Sequence, residues 1–219
     1  MYDGGNIQRR VCARKGIMRG NGWQGDPPAT DDEARERIIA AAMRCLDRYG
    51  VAKTGLSDVA TELGVTRQTV YRHYPTAEDL FFAVAEAGAD AFVDRMVARV
   101  RHETDPAEML VECLAHTLER IPKERYLSLL VMPNRQAAFT RKITSAGGFA
   151  LTDALLTRLP VDWVALGVDQ QRRQAIIEIW LRTLQSFALD PGPKRNREEM
   201  RAFLRLWLAP AILSLQDVG

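Results

Sequence analysis

Cysteine and histidine are scarce in this 219-residue chain, with three of each. The three cysteines, Cys12, Cys45 and Cys113, are too few and too scattered for a disulfide network or a zinc cage. Cys113 and His116 lie one helical turn apart, which leaves two interpretations: a pair of metal ligands, or a core cysteine beside a partnered histidine. Because metal sites in proteins usually need further ligands, the second is favoured. We therefore expect no bound metal and no cofactor.

Long apolar runs and enzyme signatures are also missing from the sequence. No apolar run reaches the ~18 residues that cross a bilayer, and the N-terminus has arginines but no apolar segment typical of a secretory signal. The patterns H-E-x-x-H, G-x-S-x-G and the phosphate-loop glycines are absent, and only three histidines are available. We expect a cytoplasmic protein with no membrane partner and no catalytic residues, and an all-helical enzyme is the remote alternative.

The chain does contain apolar residues at helical spacing along most of its length. No convincing segment alternates with the two-residue period of a strand, and no internal repeat is found. The pattern predicts an all-α fold of about nine helices. The first three end at Gly50, Gly64 and Pro75. The predicted helices span roughly residues 31–49, 56–63, 67–73, 77–101, 105–121, 126–142, 149–159, 169–189 and 197–215.

Residues 54–80 carry the most informative pattern, TGLSDVATELGVTRQTVYRHYPTAEDL. Two short helices are joined by a turn at Gly64, and the capped start of a further helix follows, which is the layout of a helix-turn-helix DNA reader. On the second short helix Val70 and Tyr74 face inward, and the opposite side carries Arg67, Gln68, Tyr71 and Arg72. Arginine pairs with guanine and glutamine with adenine in the major groove, and tyrosine contacts a thymine methyl or a phosphate. The pattern predicts binding to double-stranded operator DNA.

Thr66, Thr69 and His73 are predicted to contact phosphates of the DNA backbone, and Ser57 to reach either a phosphate or a base edge. Contacts of this kind fix the register of a protein on DNA without reading its sequence. Ser57 also lies near the start of its helix, where the backbone amides favour an anion. The alternative is a plain solvated helix face, because arginine and glutamine are common on surfaces. The glycine turn, the capped short helices and the tyrosine-rich exit together favour DNA binding.

Residues 34–80 resemble the N-terminal domain of the TetR family of bacterial transcriptional regulators. The resemblance rests on Leu56, Asp58-Val59-Ala60, Leu63-Gly64-Val65-Thr66, Thr69-Val70-Tyr71, His73-Tyr74, Glu78 and Leu80. It implies DNA contacts from the second short helix at Arg67, Gln68, Thr69, Tyr71, Arg72 and His73. One departure is Ala77, where many members carry a lysine that contacts a phosphate.

The resemblance and the helical pattern divide the chain into three parts. Residues 30–77 are predicted to form the helix-turn-helix DNA-binding domain, and residues 78–219 an effector-binding and dimerisation domain. Residues 1–29 are rich in glycine and are predicted to be disordered. This arm either adds sequence-independent attraction to phosphates, or is only a leader, or is untranslated because synthesis starts at Met18. Its basic residues, which have no acidic neighbour between positions 8 and 25, are Arg9, Arg10, Arg14, Lys15 and Arg19.

Apolar and aromatic stripes run along the last two predicted helices. Such stripes are more often plain core than interface. The resemblance implies a four-helix interface built from these two helices of each subunit, and two-fold DNA sites favour a dimer. We therefore expect a homodimer whose interface is formed by Ile176, Trp180, Thr183, Leu184, Phe187, Phe203, Leu206, Trp207 and Pro210.

A small-molecule site is expected among the fourth to eighth predicted helices. Its predicted lining residues are Phe92, Met96, Met109, His116, Arg135 and Phe139. A mostly apolar lining suits a hydrophobic effector, with His116 or Arg135 as polar anchors. The alternative for each of these residues is ordinary core, and the sequence does not identify the effector.

The resemblance implies a ligand-responsive transcriptional regulator, more often a repressor than an activator. In the state that binds DNA, the dimer would hold its two reading helices at the spacing of the operator half-sites. An effector would favour a second state with the wrong spacing, to the extent that it binds the two states with different affinity. The alternative is a DNA-binding regulator or adaptor that does not respond to a ligand and acts through protein contacts.

Overall fold

The computed structural model describes residues 22–132 and 136–213, apart from the side chains of residues 138 and 211–213, and every regular element in these ranges is helical. This confirms the predicted all-α fold. The α-helices are α1 (Asp31–Tyr49), α2 (Leu56–Leu63), α3 (Arg67–His73), α4 (Ala77–Ala87), α5 (Asp90–Val100), α6 (Pro106–Arg120), α7 (Gln136–Lys142), α8 (Ala146–Arg158), α9 (Gln170–Leu189) and α10 (Arg197–Leu213). Short 3-10 helices lie at Gly22–Gly25, Val51–Lys53, Ile121–Lys123 and Leu127–Leu129. Within the described ranges, no helix is both long and apolar enough to span a bilayer.

The predicted bounds are right where a local cap defines the helix and wrong where tertiary packing divides it. The first three helices begin and end as predicted. The fourth was predicted to continue to residue 101, but it ends before Gly88, and the ring of Tyr126 packs against that glycine. The predicted helix over residues 126–142, which Pro133 is expected to kink or divide, is replaced by the 3-10 helix Leu127–Leu129 and by α7. The described part of the chain therefore has ten α-helices rather than nine.

The helices pack around two hydrophobic cores that meet along α4. The first core joins α1, α2 and α3, and α4 contributes Leu80, Phe81 and Val84. The second core joins α5, α6, α8, α9 and α10, and it includes Ala85 of α4 and Ala89 just beyond it. One helix therefore belongs to both cores, so a displacement of α4 is felt in both.

Polar contacts also tie the first core to the second. Tyr126 donates a hydrogen bond to the Asp47 carboxylate on α1 at 3.1 Å, and Arg125 forms an ion pair with the same carboxylate at 3.1 Å. The Lys142 ammonium at the end of α7 lies 2.6 Å from the Asp79 carboxylate on α4. These contacts fix the orientation of α1 and α4 relative to the rest of the chain.

An arginine ladder on α10 holds that helix against α6. The Arg201 guanidinium lies between the carboxylates of Glu112 and Glu119, at 3.0 and 2.6 Å, and only 14% of its side chain is exposed. Arg205 pairs with Glu108 at 2.7 Å. Burial alone would raise the pKa of Glu112, but hydrogen bonds from Arg201 and Arg99 hold it below the usual value. The ladder determines which face of α10 points away from the second core.

Candidate functional site

The turn between α2 and α3 is built from short-range hydrogen bonds. Asp58 accepts from the Gly55 amide at 2.8 Å at the start of α2. Gly64 ends that helix with φ of 65°, the left-handed conformation that glycine adopts without steric cost. The Thr66 hydroxyl then caps α3 by accepting from the Thr69 amide at 3.2 Å. A helix of only seven residues is thus fixed at its start and needs tertiary packing for the rest of its stability.

Packing of α3 leaves one polar face in solvent. Val70 is fully buried and Tyr74 is nearly so, both in the first core. The side chains on the opposite face are exposed, and they are Arg67, Gln68, Tyr71 and Arg72. The Arg67 guanidinium lies 5.9 Å from the centre of the Tyr71 ring, so these two side chains support each other one turn apart. The face carries two guanidinium groups and no carboxylate, which suits an anionic partner.

The predicted backbone contacts divide into accessible and inaccessible side chains. Thr66 is exposed, and Ser57 and Thr69 are half-buried. The Thr66 and Thr69 hydroxyls lie 2.9 Å apart, so one donates to the other and one O–H group of the pair is left to donate to a phosphate. The prediction that the His73 side chain faces DNA is wrong. Its imidazole is only 1% exposed because it packs between α3 and Asp31 of α1.

The environment of His73 favours its neutral form. Its Nδ1 lies 3.7 Å from Asp31, beyond hydrogen-bond range, and Nε2 lies 3.2 Å from the Arg72 guanidinium. Burial lowers the pKa of His73, the Asp31 carboxylate opposes this, and the nearby Arg72 adds to it. A neutral ring can accept a hydrogen bond from Arg72, which helps to orient that exposed guanidinium.

The segment Gly22–Gly25, which precedes α1, lies along the turn between α2 and α3. The side-chain amide of Gln24 donates to the Glu62 carbonyl at 3.1 Å, and a Cβ added at Gly22 would lie within 4 Å of Val65 and Gly64. The five basic residues of the predicted arm, at positions 9, 10, 14, 15 and 19, lie outside the described residues. Gly22, the first described residue, lies beside the turn between α2 and α3.

The predicted dimer surface is only partly exposed. Leu206 and Trp207 on α10 are 65% and 66% exposed, and Pro210 is also exposed. Phe187 and Phe203 are half-buried and meet edge to face at 5.7 Å, and Thr183, one helical turn before Phe187, is also half-buried. Three of the predicted interface residues are core residues of the single chain instead, because α6 and α8 cover that side of α9: Ile176, Trp180 and Leu184. The Trp180 indole even donates to the Leu110 carbonyl at 3.3 Å.

A small apolar cavity of about 70 Å³ lies between α4, α5, α8 and α9. Phe92 and Met96 line it, as the sequence predicts. The structure does not place Met109, Phe139 or His116 on its wall. Met109 and Phe139 are buried in the surrounding core, and His116 stacks outside the cavity on the Phe92 ring at 6.1 Å. Arg135 lies outside the described residues.

Cys113 and His116 do not form a metal site with other described residues. No group of three possible ligands occurs within the described ranges. Cys113 is fully buried, and burial raises the pKa of its thiol to about 12, which keeps the sulfur protonated. Burial also lowers the pKa of His116.

Sequence reasoning missed Glu86, which the structure puts in the wall of the cavity. Its side chain is half-buried and reaches Gly147 in the first turn of α8. An acidic residue on the inward side of α4 and the adjacent glycines Gly147 and Gly148 were the available signals. Neither indicates by itself that the two segments meet.

Comparisons with known proteins agree with this geometry. Residues 38–84 match the family model described as bacterial regulatory proteins, tetR family. The chain is 31% identical to the HTH-type transcriptional regulator AcrR of Shigella flexneri over 100 residues, which are 45% of this chain and 46% of that relative. This match therefore spans less than half of the relative's length. An uncharacterized HTH-type transcriptional regulator of Mycobacterium tuberculosis is 24% identical over 182 residues, covering 82% of this chain and 85% of the relative.

The fold of most of the chain is also shared with a solved structure. The TetR family repressor AlkX from Dietzia sp. strain DQ12-45-1b, implicated in biodegradation of n-alkanes, superposes with a TM-score of 0.55 at 21% identity. The superposition covers 84% of this chain and 96% of that one, and at this identity it establishes the fold alone. Together, the helix-turn-helix geometry and the matching family model identify residues 38–84 as a DNA-binding domain of the tetR family of bacterial regulatory proteins.

Proposed function

We propose that this chain is a homodimeric repressor that binds operator DNA through α3 and is released by a small-molecule effector. The observation that carries the proposal is the exposed face of α3. Arg67 and Gln68 are the residues suited to reading base edges, and Tyr71 and Arg72 lie beside them. Ser57, Thr66 and Thr69 would contact phosphates, and the basic arm would add contacts that Ala77 does not make. Such a protein would work in the cytoplasm on the chromosome.

The exposed face of α10 supports the proposed dimer. Exposed tryptophan and leucine side chains on one helix face are costly in a monomer, and aromatic residues are enriched in interface cores. We propose that the interface is formed by Thr183, Phe187, Phe203, Leu206, Trp207 and Pro210. Ile176, Trp180 and Leu184 of α9 are buried within the single chain and do not belong to it. A two-fold axis through this face would present two copies of α3 to one palindromic site.

Shared packing of α4 supports the proposed response to an effector. Phe82 and Glu86 on α4 line the apolar cavity, while Leu80 and Val84 on the same helix pack in the first core. A ligand that displaces α4 would change the orientation of α3 in each subunit. The change would alter the distance between the two reading helices, and release follows if the effector binds that state more tightly.

Binding of the purified chain to fragments of its own promoter tests the DNA-binding part of this proposal. Arg67→Ala and Gln68→Ala should each weaken specific binding by about 1–3 kcal/mol and relax sequence preference, because each removes a side chain that reads a base edge. Arg101→Ala is the matched control, since it removes an exposed arginine at the far end of α5. Unchanged operator affinity in both α3 variants would show that another surface reads the DNA.

A further inference from the structure

The Glu86 side chain lies between the apolar cavity and a larger groove. Phe82 and Glu86 line both spaces, while Gly148 lies on the cavity side and Gly147 on the groove side. The groove has a volume of about 820 Å³ and runs between α1, α4 and the start of α8. The cavity alone, at about 70 Å³, is far smaller than the ~300 Å³ of a typical ligand pocket. The cavity therefore suits a slim apolar tail, whose polar head would lie at Glu86 on the edge of the groove.

Glu86 is a half-buried acid without a partner among the described residues. It forms no hydrogen bond and no ion pair within 4 Å to any residue in those ranges. Its Oε1 lies so close to the Gly147 backbone that a Cβ there would be 1.7 Å away. Burial raises the pKa of Glu86, and the Lys142 charge only partly opposes this. The site thus holds an acceptor whose hydrogen-bonding capacity is unused.

Other polar groups on the cavity wall are already satisfied. The Thr117 hydroxyl donates to the Cys113 carbonyl at 2.6 Å, and the Thr152 hydroxyl donates to the Gly148 carbonyl at 3.0 Å. Because both hydroxyls are directed to backbone, neither is available to neutralise Glu86. The donors left for this carboxylate are therefore solvent in the groove or a bound molecule.

The charges that line the groove favour a cation. Its described lining includes four acidic side chains and two basic ones; the acids are Asp32, Glu36, Asp79 and Glu86, and the bases are Arg35 and Lys142. Lys142 is held by Asp79 at 2.6 Å, and Arg35 lies over the Tyr74 ring at 5.5 Å. Both bases are thus engaged elsewhere, and the acidic excess surrounds the outer side of Glu86.

We propose that this chain binds cationic amphiphiles, with the ammonium group on the Glu86 carboxylate and the apolar tail in the cavity of α4, α5, α8 and α9. A charge-assisted hydrogen bond in this half-buried place satisfies the acid, and the tail replaces apolar surface that faces an incompletely filled space. The ligand lies against α4 near the Asp79–Lys142 ion pair, so it contacts the helix shared by the two cores. The ligand site itself does not depend on the proposed function, but the effect of the ligand on DNA binding rests on it.

The test is calorimetric titration of the full chain with three probes of equal length: octylammonium, 1-octanol and octanoate, at neutral pH. Octylammonium should bind about 10-fold or more tightly than 1-octanol, and octanoate should bind most weakly. Glu86→Gln should reduce the preference for the ammonium probe to about 2-fold or less, because the amide keeps the shape and loses the charge. Glu178→Gln, an exposed acid on α9, should leave the preference unchanged.

Equal binding of octylammonium and 1-octanol, or no binding of any probe, would overturn the assignment, as would a preference that survives Glu86→Gln. Gly147→Ala gives an independent variant if Glu86→Gln does not fold, since its Cβ displaces the carboxylate and should also lower the preference. Operator binding measured on the same samples separates the two proposals. Ammonium binding with no effect on DNA keeps the ligand site and contradicts the effector response.

Discussion

Gly148→Ala should destabilise the protein although it lies in a helix, where alanine normally stabilises by about 0.5–1 kcal/mol relative to glycine. The Cβ of an alanine would lie 1.9 Å from the carbonyl oxygen of Ile143 and 2.9 Å from its carbonyl carbon. Ordinary contact begins near 3.4 Å, so that carbonyl would have to retreat by about 1.5 Å. Backbone hydrogen bonds resist this, since the Ile143 amide donates to Phe139 at 2.9 Å and the Ser145 amide donates to Lys142 at 2.9 Å.

Gly147→Ala provides the matched comparison within the same helical turn. Its Cβ would meet the Oε1 of Glu86, the far end of a flexible side chain that can rotate toward the groove. It should therefore keep most of the helix-propensity gain, between zero and about 1 kcal/mol. Overpacking against backbone costs about 1–3 kcal/mol, so Gly148→Ala should be less stable than the original chain by about 1–2 kcal/mol.

Thermal unfolding followed by circular dichroism measures the difference directly. About 2 kcal/mol between the two variants corresponds to a separation in Tm of about 4–8 °C for a chain of this size. The original chain should lie between them or close to Gly147→Ala. A Gly148→Ala variant as stable as the original chain, or two variants with the same Tm, would refute the argument from close packing at the start of α8.

Three further predictions concern the ladder, the exposed face of α10 and the arm. Arg201→Met should lower the free energy of unfolding by about 2–4 kcal/mol in urea titrations, because it removes the guanidinium shared by two half-buried carboxylates. Trp207→Asp should shift the dimer toward monomer in analytical ultracentrifugation, because it puts a charge into the proposed interface. Replacing the five basic residues at positions 9–19 with glutamine should make operator binding less salt-dependent. The slope of log K against log salt should fall by about 0.9 for each phosphate that the arm no longer neutralises.

Each of these predictions has a control and an outcome that would contradict it. Glu112→Gln combined with Arg201→Met should recover part of the lost stability, and full additivity would show that the ladder is not coupled. The pKa of Glu112 is lowered in the folded chain, so the ladder's contribution should be complete above the ordinary value of 4.5 and should disappear as the pH falls below it. Arg182→Asp on exposed α9 surface should leave the dimer intact, whereas a dimeric Trp207→Asp would move the interface elsewhere. An unchanged salt slope would exclude the arm from DNA binding.

Local sequence signals predicted the helices α2 and α3 and the turn between them well, because their geometry depends on neighbours in the chain. Thr66 and Gly64 define the ends of α3 and α2 through hydrogen bonds that reach only a few residues. The alternation of Val70 with exposed polar residues follows from helical periodicity alone. His73 was the exception in this unit, because its burial depends on Asp31 in another helix.

The second part of the chain was predicted less well because its sequence pattern fits more than one packing. The apolar stripe of α9 has the same spacing whether it packs on α6 or on a second subunit. Only the folded chain shows that Trp180 is buried while Trp207 on α10 is exposed. The break between α4 and α5 similarly depends on Tyr126, which is distant in sequence. Contacts of this kind leave no periodic trace in either segment.

The sequence by itself determined an all-helical chain with a capped helix-turn-helix and a polar face of Arg67, Gln68, Tyr71 and Arg72, because caps and helical periodicity act over a few residues. Only the tertiary structure decided that α4 is shared by two cores and that Glu86 meets the Gly147-Gly148 pair at the wall between a cavity and a groove. It also decided which apolar residues of the last two helices remain exposed. These features require segments far apart in the chain to pack against each other, and burial is a property of that packing rather than of either segment alone.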